Sequence, residues 1–338
     1  MHGSGDSPPH TVLFNVWRSM TEHSQTVSIS NGSNSQILCS HDGCGAPISD
    51  SAVDHEHVDV LGVKVSAVNM ARAVELADQW VMGGRAGYIC VTGVHGVMEA
   101  QKDPGLLEIL NHAVINTPDG MPMTWVGQVQ GVSNMDRVFG PDFMLKMCEL
   151  SVDRGYRHFL YGGQPGVAEK LKEALEMRLP GLQVVGTYTP PFRTLNEQEE
   201  ETLFAQLRDS KPHILWVGLS TPKQERFMAQ YVDRLQVPLL IGVGAAFDYH
   251  TGRIRDSSNW IKRAGLQWLH RLLQDPRRLW RRYLSNNPAF IWNINLQMLK
   301  LRRYPRDVER SCPTRQSNAE GVRDASLCQP KCNRDSSS

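Results

Sequence analysis

The chain has 338 residues, 41% of them apolar and 21% charged, enough to bury a large core in one domain or two. Its net charge of +1 excludes a protein that gathers nucleic acid by overall charge, and no run of 18 apolar residues marks a membrane-spanning helix. The charge is unevenly placed: residues 253–303 hold twelve Lys/Arg against Asp256 and Asp275, a local excess that points to an anionic partner such as phosphate, a lipid headgroup or nucleic acid.

Residues 1–56 are rich in Ser, Gly, Asn, His and Pro, and read as a disordered tail without the basic start and apolar core of a signal peptide. Strand and helix patterns then alternate. "YICVT" (88–92) reads as a buried strand, "VHGVMEAQ" turns helical, "HAVINT" (112–117) is a second strand, and a helix follows over 121–131. "GPDFMLKMCELSVDRG" (140–155) places its apolar residues on one helical face, and "RHFLYGG" (157–163) is a strand that ends in glycines. A helix over 164–181, a strand over 182–188 and a helix over 194–210 follow, the last opened by a capping box of Asn196 and Glu199. A strand (213–220), a helix (221–235) and a strand (238–244) complete the series. The alternation predicts an α/β, Rossmann-like fold over 57–250, with a mostly parallel sheet flanked by helices. Residues 251–304 form a basic, aromatic helical appendage, in which Pro276 and Pro288 are each expected to restart a helix. Residues 305–338 read as a second disordered tail. Of the seven cysteines, Cys90 and Cys148 sit in core-like contexts; those of the tails form no visible framework, which fits a reducing compartment.

Ligands of a doubly wound sheet bind beyond the carboxyl ends of its strands. Thr92 and His95 follow the first strand, as polar substrate contacts or as a helix cap and an exposed His. Asp119 stands on a stiff Pro–Asp–Gly turn after the second, as a general base for a hydroxyl or as a helix N-cap. Gly162 and Gly163 open a loop that suits either a phosphate or a tight strand–helix turn. Ser220, Lys223 and Gln224 lie at the start of a helix, where they reach a phosphate or base, or else cap the helix and face solvent. Arg271, Arg278 and Arg281, spaced by seven and three, would share one face if the helix ran unbroken through Pro276, as a phosphate clamp or a solvated surface. "GVGAAF" (242–247) lacks the third glycine of the dinucleotide fingerprint, and the chain holds no D-x-D, H-x-x-x-H, P-loop or G-x-S-x-G. A phosphate leaving group would therefore be met by arginines rather than a metal.

Taken together and in order, "TPDGMP", "RVFGPDFM", "STPKQE", "GVGAAFDYHTG" and "RAGLQWLHRLLQDPRRLWRRYL" resemble the WecG/TagA/CpsF glycosyltransferases, glycosyltransferase family 26, over roughly residues 57–303. The resemblance implies an inverting, metal-independent hexosyltransferase that needs no cofactor. It would move an N-acetylhexosamine-type sugar, N-acetylmannosamine or its uronate, from a UDP donor. The acceptor would be a polyprenyl-diphosphate-linked sugar, at the cytoplasmic membrane face, in cell-surface polysaccharide or teichoic acid synthesis. It further implies Asp119 as the general base, a role for Thr92 beside it, and substrate contacts by Arg137 and Gln224. Arg271, Arg278 and Arg281 would hold the UDP diphosphate. The Asn that the family often carries two residues after the Thr is Val94 here, with His95 adjacent as a substitute, and Gln267 stands where a Glu is common. The resemblance also implies a core that oligomerises and an appendage that closes over the site and favours a membrane-bound monomer, for which Trp268, Trp280 and Trp292 among basic residues are suited. Two other classes compete: a peripheral membrane protein that binds nucleotide or lipid without chemistry, and a nucleic-acid binder using the basic helices. Neither needs the polar loops on the sheet, so nucleic acid is not an expected partner.

Overall fold

The structure, a computed structural model, describes residues 55–305. The two expected tails, but for His55, Glu56 and Pro305, and the tail cysteines lie outside the described residues. An antiparallel hairpin, β1 (His57–Val60) and β2 (Val63–Ser66), comes first; the pattern reading placed no element there. Helix α1 (Met70–Gly83) starts at Asn69, whose side chain accepts from the Arg72 amide, and stops at Gly84 in the left-handed conformation. There follow β3 (Gly87–Thr92), α2 (Val94–Ala100), α3 (Pro104–Asn111), β4 (Ile115–Pro118), α4 (Met121–Val129), α5 (Gly140–Arg154), β5 (Arg157–Gly162), α6 (Val167–Arg178) and β6 (Gln183–Tyr188). Then come α7 (Glu197–Ser210), β7 (Ile214–Gly218), α8 (Lys223–Tyr231), β8 (Leu239–Gly242) and α9 (Ala246–His250). The capping box of Asn196 and Glu199 is present at α7.

Six strands form one parallel sheet in the order β4-β3-β8-β7-β5-β6. The fold class expected from the alternation is the one observed. Both faces of the strands are apolar because both are covered. Tyr88, Cys90, Phe159, Tyr161, Leu215, Val217 and Leu240 point to one core; Ile89, Leu160, Ile214, Trp216, Leu239 and Ile241, the alternate positions, point to the other. The first core is shared with α2, α3, α7, α8 and the hairpin, the second with α1, α5, α6 and α9.

The appendage is three helices, α10 (Asn259–Arg263), α11 (Gln267–Gln274) and α12 (Pro276–Met298). Pro276 starts α12 as expected, but Pro288 lies inside it and does not restart a helix. Pro288 and Leu284, whose carbonyl loses its partner to the proline, are both exposed, so water can donate to that carbonyl in place of the missing N–H. On the opposite side Leu279, Asn286 and Phe290 are buried against the α/β body and carry the helix past the proline. Further along, Gln297 bonds the β1–β2 turn, accepting from the Leu61 amide at 2.9 Å and donating to the Asp59 carbonyl at 3.2 Å.

Candidate active site

The site forms at the carboxyl ends of β3 and β4, neighbours in register with Thr92 opposite Pro118. The chain leaving β4 is pinned to β3, because the Asp119 amide donates to the Thr92 carbonyl at 2.9 Å. Gly93 makes this approach feasible: a Cβ there would sit 2.6 Å from the Asp119 carbonyl oxygen. Gly120, at φ 103°, then turns the chain into α4 and is itself the N-cap, with no side-chain capping bond. The Asp119 carboxylate therefore does not cap the helix. Thr92 does not cap α2 either; Gly93 holds that position, and the buried Thr92 Oγ1 has no hydrogen-bond partner among the described residues.

Burial pushes the Asp119 carboxyl above the usual carboxylate range, with Asp142 adding to the rise against the pull of Arg137, Arg271 and Arg282. Desolvation outweighs three cations, which makes Asp119 a stronger base than an exposed aspartate. Each arginine is mounted differently. Arg137 lies 4.4 Å over the Phe139 ring and donates to Gln267 Oε1, while its buried Nε has no partner among the described residues. Arg271, from α11, lies 5.7 Å from the Tyr249 ring centre. Arg282, from α12, is buried enough that desolvation lowers its pKa, and its Nε also lacks a partner among the described residues.

Arg282 was not among the arginines picked out from the sequence. The spacing of seven and three selects Arg278 and Arg281, but α12 turns those two outward. Arg278 pairs with Asp275 at 2.7 Å on the surface, and Arg281 lies exposed, 5.3 Å from the Trp280 ring. The missing signal was the 3.6-residue face of Leu279, Arg282, Asn286 and Phe290, three of them buried.

A second shoulder comes from the loop before α8. Pro222 is the N-cap and no side chain caps, so neither Ser220 nor Thr221 has the capping role. The Thr221 hydroxyl donates instead to Glu225 Oε1 at 2.8 Å, and Gln224 Nε2 donates to the same oxygen at 3.0 Å. This fixes the buried Gln224 with its Oε1, which has no partner among the described residues, close to Gly244, the glycine after β8. Glu225 is fully buried, and desolvation raises its carboxyl pKa. Ser220 and Lys223 are exposed. His95 is tied into the appendage, its Nδ1 2.9 Å from Asn286 Nδ2, and burial lowers its pKa to about 4, so the ring is neutral and accepts that bond.

At the glycine loop the fold itself takes up part of the capacity. A Cβ on Gly162 would lie 2.6 Å from the Gly218 carbonyl oxygen, and the Gly163 amide donates to that carbonyl at 3.0 Å. The tight-turn reading accounts for both residues. Among the described residues no group of three His, Cys, Asp or Glu gathers as a metal site.

Comparison with known proteins finds a match to the Glycosyl transferase WecG/TagA/CpsF family over residues 58–304. Two similar proteins carry the name N-acetylglucosaminyldiphosphoundecaprenol N-acetyl-beta-D-mannosaminyltransferase. One, from Bacillus spizizenii (strain ATCC 23059 / NRRL B-14472 / W23), is 28% identical over 187 residues, which are 55% of this chain and 70% of the relative. The other, from Bacillus subtilis (strain 168), is 26% identical over 187 residues, with the same coverage of each chain.

Proposed function

The chain belongs to the WecG/TagA/CpsF glycosyltransferase family and is a hexosyltransferase, and from that premise we propose the reaction it carries out. It moves N-acetylmannosamine, or its uronate, from a UDP donor to a polyprenyl-diphosphate-linked N-acetylglucosamine, inverting the anomeric centre without a metal. The names of the two relatives support the sugar and the lipid-linked acceptor. The observation that carries the mechanism is the Asp119 carboxylate: half-buried, freed from helix capping, of raised basicity, and set among Arg137, Arg271 and Arg282.

Asp119 takes the proton of an acceptor hydroxyl as that oxygen attacks the anomeric carbon from the face opposite the diphosphate. The bond from the anomeric carbon to the phosphate oxygen breaks and UDP leaves with the electron pair. Arg271 and Arg282 meet the growing charge, and Arg278 and Arg281 lie outside them at the rim. Thr92, Gln224 and His95 line the same end of the sheet, and Ser220, Lys223, Gly162 and Gly163 flank the nucleotide side. In the cell the enzyme sits on the inner face of the cytoplasmic membrane, in polysaccharide or teichoic acid synthesis. No helix of the described residues is long and apolar enough to cross a membrane, which is compatible with surface attachment by the appendage.

The test is UDP release from UDP-N-acetylmannosamine with a short-chain polyprenyl diphosphate N-acetylglucosamine. Asp119→Asn is expected to lower kcat by roughly 10²–10⁴-fold. EDTA is expected to leave wild-type turnover intact. A variant within threefold of wild type sinks the base assignment, and turnover lost to EDTA and restored by Mg²⁺ sinks the metal-free mechanism.

A further inference from the structure

Three buried hydrogen-bond donors lie on side chains around Asp119 and have no acceptor among the described residues: two belong to residues whose charges bear on Asp119, and the other to a partner of one of them. Arg137 Nε is buried and has no partner among the described residues. Gln267 uses its Oε1 to accept from Arg137, and its buried Nε2, on the other side of the amide, has no partner among the described residues. The third is the Tyr249 hydroxyl, buried and equally without a partner among the described residues. These groups are linked by their rings: Arg137 lies over Phe139, Phe139 meets Tyr249 edge-on at 5.2 Å, and the far contact of Tyr249 is the Arg271 guanidinium at 5.7 Å. An unmade hydrogen bond on a buried hydroxyl is a standing cost to the free protein, so its retention calls for an acceptor that arrives with the ligand.

We propose that Tyr249 is a substrate-contacting residue whose phenol O–H donates to a phosphoryl oxygen of a diphosphate, alongside Arg271 and Arg137. The inference rests on the glycosyltransferase reading above. A donor-rich set with two guanidinium groups suits an oxyanion better than a cation. Burial and the nearby Asp256 and Asp119 push the phenol up to about 12 despite the pull of Arg271, so it stays protonated, a donor, across the working pH range. Both substrates of the proposed reaction carry a diphosphate, and the experiment separates them.

Tyr249→Phe keeps the ring, its edge contact and its stacking with Arg271, and removes only the hydroxyl. The expected result is an unchanged or higher Tm for the free protein, with the Kd for UDP, measured by calorimetry, weakened about tenfold or more. A Kd for UDP that stays put while KM for the lipid-linked acceptor rises by the same factor assigns the hydroxyl to the acceptor's diphosphate instead, and also upholds the contact. Unchanged Kd and both KM values overturn it, as does a Tm several degrees lower, which would mean that the hydroxyl has a structural partner. If the wild-type protein neither binds UDP nor releases it, the glycosyltransfer reading fails first and takes this inference with it.

Discussion

At Asp119 two roles compete for the same oxygens, and the backbone decides between them. The sequence presents an acid just before a helix, where capping is the ordinary role. Nothing in "TPDGMP" reveals that Gly120 will be the cap, because that depends on the Thr92 carbonyl holding the Asp119 amide across two strands. The arginines give the complementary lesson. Arg271 and the acid were legible as chemistry-bearing residues, but Arg282 was not, since the choice between adjacent arginines is a choice of helix face. Arg281 lies against Trp280 on the surface, whereas Arg282 is half-buried, its enclosed Nε without a partner among the described residues, and exerts its charge on Asp119. Arg282→Met is therefore expected to lower kcat/KM by about 10–100-fold, the value of roughly 1.5–3 kcal/mol for a hydrogen bond to a charged group. Arg281→Met, assayed with detergent-dispersed acceptor, is expected to stay within about threefold. The reverse order would return the diphosphate contact to Arg281.

Among the elements, the parallel sheet was legible because its strands are apolar on both faces and its helices recur at regular spacing. The β1–β2 hairpin was not. Its four-residue strands are too short for a clear period, and it is stabilised by partners remote in sequence, Gln297 and the α3 residue Asn111, which accepts from the Lys64 amide at 2.8 Å. The continuity of α12 through Pro288 was equally hidden, because it rests on burial of Asn286 and Phe290 against the body rather than on local propensity. Asn286 is also the point at which α12 meets His95. The His95 pKa is lowered to about 4, by burial first and then by the Arg282 and Lys102 charges, against Glu99 and a bond to the Thr221 backbone. Because the folded pKa lies below the unfolded 6.5, the unfolded chain takes up a proton first as pH falls. The contribution of His95 is thus whole above pH 6.5 and is lost progressively towards pH 4. His158, His213 and His250 are shifted the same way, so the wild-type slope is shared. His95→Gln is expected to lose its part of that slope, narrowing the drop in Tm between pH 7 and pH 4.5 by on the order of 5 °C. Parallel Tm curves for the two proteins would exclude His95 as a contributor.

For the molecule as a whole, the distribution of exposed apolar surface bears on where it works. Of the thirteen large hydrophobic side chains exposed among the described residues, nine fall between Trp260 and Leu301, in the segment that also holds the excess of arginine and lysine. Trp260, Trp280 and Trp292 are exposed, whereas Trp268 packs on Tyr283 at 5.8 Å and is partly withdrawn from the surface. Indole rings favour the water–lipid boundary, and each basic residue near an anionic leaflet contributes about 1 kcal/mol. The inner side of the same helix carries Arg282 and Asn286 into the site, so one element would face the lipid with one side and the reaction with the other. A lipid-linked acceptor could then enter without leaving the membrane. The protein is expected to float with vesicles containing about 30% anionic lipid, to bind neutral phosphatidylcholine vesicles far less, and to release as salt rises above the range in which exposed charges act over about 10 Å. Trp280→Ala with Trp292→Ala should weaken vesicle binding about tenfold or more at unchanged Tm, since both rings are exposed. In that double variant, turnover on an acceptor with a short, water-soluble prenyl chain should persist while turnover on the long-chain acceptor in vesicles falls. Equal losses on both acceptors would mean that these tryptophans serve the site itself and not the membrane, and equal binding to neutral and anionic vesicles would remove the basic surface from the account.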